Sequence, residues 1–333
     1  MKHPNHPPYH LRTNKAVDRL LLVNLLRELG GNCKEFTYYS LAGPFLEDLR
    51  VMSLFFPEMQ LVSLESDSET YKRQKFHQFD SRLTLRDKSL SDFITNCYEP
   101  GEKDIFWLDY TDLSYECFDE FQVVLKKVPP GSVVRITLRA EPELNTDALE
   151  SYLSGDEIAV IRAKAEKSFE EKYQKVLPNP VPDGASSSFT AYARTVQLMV
   201  QQAASLALDT AGSQVDFLPV QSTRYNDNTQ MLSVTGVICP RAQIDATREK
   251  LKSVHFVDFE WQEPTQINIP ALSLKERFSL ECHLPVPKDQ DAGDELFKIL
   301  QYCIASTETR SKRQLAHYAK CYQEYPNFVR ITI

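Results

Sequence analysis

Between residues 36 and 141 short apolar runs alternate with amphipathic stretches, and only short turns separate them. FTYYSLAG (36–43), MQLVSLES (59–66), SRLTLRD (81–87), DIFWLDY (104–110) and SVVRITLRAE (132–141) read as strands. The intervening stretches 44–56, 67–79, 90–98 and 114–128 read as helices. Pro44 is placed for the first turn of its helix, Asp67 or Ser68 for an N-cap, and Pro129-Pro130-Gly131 for a turn. Strands joined through helices run parallel, and right-handed crossovers put helices on both faces of the sheet. The predicted class is α/β, a doubly wound, mostly parallel sheet, with ligand crevices at the C-terminal ends of its strands.

The alternation stops after residue 141. Residues 145–176 predict a polar helix, 178–188 a Pro/Gly/Ser-rich connector, and 188–209 a long helix. Strands at 215–225 and 230–239 flank Asn226-Asp227-Asn228-Thr229, which predicts a hairpin and so an antiparallel pair at the sheet's edge. The tail adds a helix in DATREKLKSV, a strand in HFVDFEWQ and two more helices, one of them 311–325. This gives a helical lead-in (1–35, with a helix at 14–29), a sheet domain (36–240, with a helical insertion at 143–209), and a C-terminal α+β extension (241–333).

Composition narrows the chemistry. Only 10 of 333 residues are glycine, and no G-x-G-x-x-G, Walker loop, G-x-S-x-G or EF-hand loop is present. The 7 cysteines are scattered and never in C-x-x-C, which predicts free thiols in a reducing cytoplasm and no zinc site. No apolar run approaches the ~20 residues needed to span a bilayer, and the first residues lack a secretory h-region. His3, His6 and His10 lack partner ligands and predict no metal centre. The net charge is −8, although both ends are locally basic, and this argues against a nucleic-acid partner. Tyr318, Tyr322 and Tyr325 are read as a half-buried helix face rather than a stacking surface.

Five strand–helix units, a long helix and a closing hairpin resemble the class I S-adenosylmethionine-dependent methyltransferase architecture over roughly 36–240. LRTNKAVDR, YYSLAGPFLEDLR, SLESD and YKRQKF make the whole chain similar to a bacterial O-methyltransferase family. The resemblance implies S-adenosylmethionine as cofactor and assigns positions for it. Ala42 and Gly43, in the turn after the first strand, would line it. Glu65, ending the second strand, would accept hydrogen bonds from the ribose hydroxyls. Asp87 would lie on the adenine side. Asp109 and Tyr110, ending the fourth strand, would face the substrate as proton acceptor and stacking aromatic. Two departures stand out. The first turn has one glycine, and Tyr38, Tyr39 and Ser40 occupy the place of the acidic residue usual late in that strand. The N/D-P-P-Y/F motif of amino-methylating enzymes is also missing its prolines, which removes the reason to expect a nucleic-acid base as substrate. Two readings follow: methyl transfer to an oxygen or nitrogen nucleophile of an unidentified substrate, or a catalytically silent partner protein that kept the fold and uses the extension from 241 as its interaction surface.

Overall fold

The structure, a computed structural model, describes residues 12–142, 154–185, 188–209 and 213–326. The chain forms two compact units, one of residues 22–224 and 229–265, the other of 1–21, 225–228 and 266–333. Helix α1 (Thr13–Gly30) passes from one to the other at Leu21–Leu22.

The larger unit holds the predicted alternation: β1 (Phe36–Ser40), α2 (Glu47–Phe55), β2 (Gln60–Glu65), α3 (Ser68–His77), β3 (Leu83–Asp87), α4 (Leu90–Asn96), β4 (Lys103–Asp109), α5 (Tyr115–Lys127) and β5 (Val133–Arg139). Then come α6 (Gly155–Tyr173), α7 (Phe189–Leu208), and the long strands β6 (Val215–Asn226) and β7 (Gln230–Pro240), followed by α8 (Ile244–Leu251). The strand order is β3-β2-β1-β4-β5-β7-β6, and β8 (Thr265–Ile267), on which the chain leaves this unit, completes the eight-stranded sheet. β1 to β5 are parallel, and β7 runs antiparallel to β5. This is the α/β class and the mostly parallel sheet with an antiparallel hairpin that the sequence predicts. The insertion's residues 143–153 lie outside the described residues.

The two sheet faces differ in chemistry. On one, Tyr39 stacks on Phe106 at 4.4 Å between ring centroids, within a large apolar cluster that includes Phe118 and Phe121 of α5 and Val196 and Val200 of α7. Side chains of this size contribute about 1.5–3 kcal/mol each on burial. The other face carries a polar row in register: Ser63, Ser40, Trp107, Arg135 and Thr235. Arg135, 1% exposed, donates to Thr235 Oγ1 at 2.7 Å and lies over the Trp107 ring at 4.9 Å. Arg135 and Trp107 thus pair across strands, with Thr235 and Thr137, as the burial of polar groups requires.

Two local expectations fail. HFVDFEWQ is not a strand: apart from a single bridge between Val257 and Gln221, it is irregular. Phe256 and Trp261 have φ of 57° and 53°, a left-handed turn of the chain that a strand cannot contain. Asp258 holds this turn by accepting the Glu260 and Gln262 amides at 2.9 and 2.8 Å. Pro44 also lies outside its helix, for a reason given with the site.

In the smaller unit, the side chain of Asp227 caps the start of α1. Its Oδ2 accepts the Lys15 amide at 2.8 Å, and its Oδ1 accepts Asn14 Nδ2 at 2.9 Å. Asn14 Oδ1 in turn accepts the Ile269 amide at 3.0 Å. The tail forms three described helices rather than two: α9 (Leu274–Glu281), α10 (Ala292–Leu300) and α11 (Glu308–Cys321). Tyr318 is buried on α11, with its hydroxyl donating to Glu281 at 2.8 Å, and Tyr325 is buried four residues beyond the helix end, which falls at Cys321 rather than at 325. No described helix is long and apolar enough to cross a membrane.

Candidate functional site

β1 to β4 run parallel, so their C-terminal ends share one edge of the sheet. Every cofactor or substrate residue that the resemblance assigns lies on that edge. Ala42 and Gly43 follow β1, while Glu65, Asp87 and Asp109 are the last residues of β2, β3 and β4, and Tyr110 comes next.

The turn after β1 is built without glycine-like backbone at Gly43. The Gly43 carbonyl accepts the Leu46 amide at 3.1 Å, closing a β-turn with Pro44 at its second position. Proline's fixed φ suits that position, so Pro44 belongs to the turn and α2 begins at Glu47. The left-handed residue here is Leu46 (φ 56°), fully buried, a conformation that costs a non-glycine residue about 1–3 kcal/mol.

Two buried side chains hold the turn from beneath. The carboxylate absent from the end of β1 arrives from α2 instead: Asp48 Oδ2 accepts the Tyr38 hydroxyl at 3.0 Å and also the Ser40 hydroxyl. Gln74, fully buried on α3, donates to the Ala42 carbonyl and, at 3.4 Å, to the Gly43 carbonyl. Its Oε1 accepts the Ser63 hydroxyl at 2.9 Å. Among the described residues, the amides of Ala42 and Gly43 have no acceptor, although Ala42 is only 3% exposed. Buried backbone donors are rarely left so.

Glu65 is the perturbed carboxylate of this edge. Burial raises its pKa above the usual value, and the charges of Asp67 and Asp87 push the same way. Its Oε1 accepts the Asp67 amide at 2.8 Å, while Asp67 itself caps α3 through the Thr70 amide at 2.8 Å. Asp87 is the register partner of Glu65 on β3, the outermost strand, and is exposed.

These features fit a nucleoside cofactor. A partly desolvated carboxylate gains from two hydroxyl donors such as a ribose diol presents, and amides without acceptors gain from an anionic or carbonyl group. The single glycine is therefore no obstacle at the backbone level.

Asp109, half-buried, is in register with Thr137 on β5. Tyr110 donates its amide to the Thr137 carbonyl at 3.0 Å and its hydroxyl to Glu120 Oε2 of α5 at 2.6 Å. Burial and the Glu120 charge keep the phenol protonated far beyond its ordinary range. The hydroxyl is thus committed to α5, and the ring is what remains for stacking.

Asp48, Ser63, Gln74 and Glu120 are absent from the sequence-based set. Asp48 follows Glu47 in the first turn of a helix, where acidic residues ordinarily complement the dipole. Gln74 did carry a signal. α3 has no apolar stripe, and Gln74 is its one buried residue, so what that helix buries had to be polar. No three His, Cys, Asp or Glu side chains gather as metal ligands among the described residues, and His3, His6 and His10 lie outside them.

Comparison with solved structures finds distant likenesses. A probable spermidine synthase from Corynebacterium glutamicum is 12% identical, with 43% of this chain and 53% of that one covered and a TM-score of 0.34. The S-adenosylmethionine-dependent methyltransferase SibL is 11% identical, with coverage of 67% and 55% and a TM-score of 0.36. Human N-acetylserotonin methyltransferase is 7% identical, with coverage of 67% and 51% and a TM-score of 0.34. The chain spans about half the length of these structures, and scores at this level carry nothing over to its chemistry. No curated protein matches in sequence. A family described as "Putative O-methyltransferase" matches residues 7–333, and with the sheet order and the strand-end site described above, the chain belongs to that family.

Proposed function

We propose that the chain transfers a methyl group from S-adenosylmethionine to an oxygen or nitrogen nucleophile, with the cofactor across the ends of β1 and β2 and the substrate at the end of β4. The observation that carries this reading is the meeting of a burial-perturbed carboxylate, Glu65, with a turn whose Ala42 and Gly43 amides have no acceptor among the described residues. S-adenosylmethionine, the methyl donor of this family and fold, supplies an electrophilic methyl group on a sulfonium centre. Glu65 accepts the ribose hydroxyls, Asp87 faces the adenine side, and the Ala42–Gly43 turn receives the amino-acid end.

Asp109 orients the substrate's nucleophile and accepts its proton, which needs a carboxylate within hydrogen-bond reach of the attacking atom. The Tyr110 ring forms the wall beside it. Methyl transfer needs in-line alignment more than acid or base strength, so positioning is the protein's main contribution. The missing prolines after Asp109 favour a substrate other than a nucleic-acid base. The seven free thiols support a cytoplasmic setting.

Calorimetry of the full chain with S-adenosylmethionine tests the reading. Wild type binds, and Glu65→Ala weakens binding at least tenfold, since two charge-assisted hydrogen bonds are lost. Absence of heat with wild type at high protein and ligand concentration refutes it. Binding by wild type, with turnover of an identified substrate unchanged in Asp109→Ala, refutes the role of Asp109. Binding with no transfer to any nucleophile favours the silent-partner reading.

A further inference from the structure

We infer that Gln74 is a positioning residue for the cofactor: it fixes the turn after β1 so that the Gly43 amide is presented to the ligand, work that a glycine-rich turn leaves to backbone freedom. The inference rests on the methyl-transfer reading of the same site.

The argument starts from one peptide plane. Gln74 donates to the Ala42 carbonyl. The Ala42–Gly43 peptide is trans, so this carbonyl and the Gly43 N–H lie in one plane and point in opposite directions. Holding the carbonyl against α3 therefore turns the Gly43 N–H away from α3, and that N–H has no acceptor among the described residues. The next peptide runs into Pro44 and carries no N–H, so Gln74's second donation, to the Gly43 carbonyl, steadies the turn without turning a further backbone N–H. With no Cβ at Gly43, a ligand atom can approach that amide closely.

The orientation of Gln74 is itself fixed. Ser63 Oγ donates to its Oε1 at 2.9 Å, which commits the NH2 end to the turn. Ser63 lies two residues before Glu65 on β2, so one chain of contacts ties the ribose-side strand to the turn. Gln74 touches no ligand in this arrangement and acts only through the turn. Its full burial on a helix with no other buried residue makes packing a poor account of its presence.

Two measurements on the full chain test this. In hydrogen exchange without ligand, Gln74→Met raises the exchange rate of the Leu46 amide, which is bonded to the Gly43 carbonyl, at least tenfold. In calorimetry, Gln74→Met and Gln74→Glu each weaken S-adenosylmethionine at least tenfold, with thermal midpoints still well above the titration temperature. Gln74→Glu keeps the shape and the acceptor for Ser63 but, ionised in titrations run at pH 9, has no donor for the turn, so a packing role predicts near-normal binding for it. If either Gln74 variant unfolds, Ser63→Ala replaces it, with at least threefold weaker binding and faster Leu46 exchange. Gln74→Glu binding within twofold of wild type, or an unchanged Leu46 exchange rate, overturns the inference. If wild type itself takes up no S-adenosylmethionine, the methyl-transfer reading and the cofactor role of Gln74 both fall, while the exchange data still decide whether Gln74 holds the turn.

Discussion

Removing the Asp48 carboxylate should cost far more stability than its place in the first turn of α2 suggests. Its two donors, Tyr38 and Ser40, are 0% and 2% exposed. A hydrogen bond to a charged acceptor is worth about 1.5–3 kcal/mol, and a buried donor left without a partner costs about 1–3 kcal/mol. The Ser40 hydroxyl can rotate toward another acceptor, whereas the Tyr38 hydroxyl is confined to its ring plane. Asp48→Ala is therefore expected to lose about 2–4 kcal/mol, a large share of a typical stability of about 5–15 kcal/mol. Asp48→Asn keeps one acceptor oxygen and should lose about half as much. Both tryptophans, Trp107 and Trp261, lie in the larger unit, so urea unfolding followed by tryptophan fluorescence reports on that unit alone. A double-mutant cycle with Tyr38→Phe should return a coupling of at least about 1 kcal/mol. An Asp48→Ala loss below about 0.5 kcal/mol, or a coupling near zero, would show that the carboxylate does not hold the end of β1.

Glu65 makes stability and binding respond to pH in opposite directions. Its folded pKa is raised, chiefly by burial, so the folded state favours the protonated form, and the stability this gives is present at low pH and lost as pH rises through the raised pKa. Glu65→Gln should therefore be more stable than wild type at neutral pH, with the gap closing as pH falls below the ordinary value of 4.5. Ribose hydroxyls need the ionised form, so wild-type affinity for S-adenosylmethionine should fall as pH drops through the raised pKa, while that of Glu65→Gln stays weak and flat. Parallel melting and binding series across pH 4–8 check both signs. Tyr110→Phe should cost about 1.5–3 kcal/mol by stripping the Glu120 carboxylate of its donor, yet leave S-adenosylmethionine affinity within twofold. A larger loss of affinity would put the phenol on the cofactor.

The fold was legible because strand-like and helix-like stretches alternate over a long span of chain with only short turns between them. Parallel strands end on one edge, so the strand-end positions were legible, while the choice of Glu65, Asp87 and Asp109 among them came from the resemblance to the methyltransferase family. What the sequence hid was side-chain traffic between elements. The acidic group for β1 comes from α2, and a glutamine does the work assigned to glycines. Asp48 leaves no local pattern because it mimics a dipole-complementing residue, and the one trace of Gln74 is a helix without an apolar stripe, which does not say which polar residue is buried. HFVDFEWQ misled for the opposite reason. Its alternating apolar residues satisfy a strand's period, while two left-handed residues, held by Asp258 and by the Arg194 contacts to the Trp261 and Gln262 carbonyls, break the chain's direction.

The cap that Asp227 places on α1 has a consequence for the chain's birth. Asn14 and Asp227 are 213 residues apart, and the Ile269 contact is more distant still. At translation rates of about 5–20 residues per second, the start of α1 waits about 10–40 s for its cap. During that wait the apolar run Leu20-Leu21-Leu22-Val23 is displayed by the nascent polypeptide. The smaller unit, assembled from three separated stretches, cannot close before its last stretch has been made. Premature termination between β7 and residue 266 would thus release molecules that hold β1 to β7 but have an N-terminal segment left for chaperones or proteases.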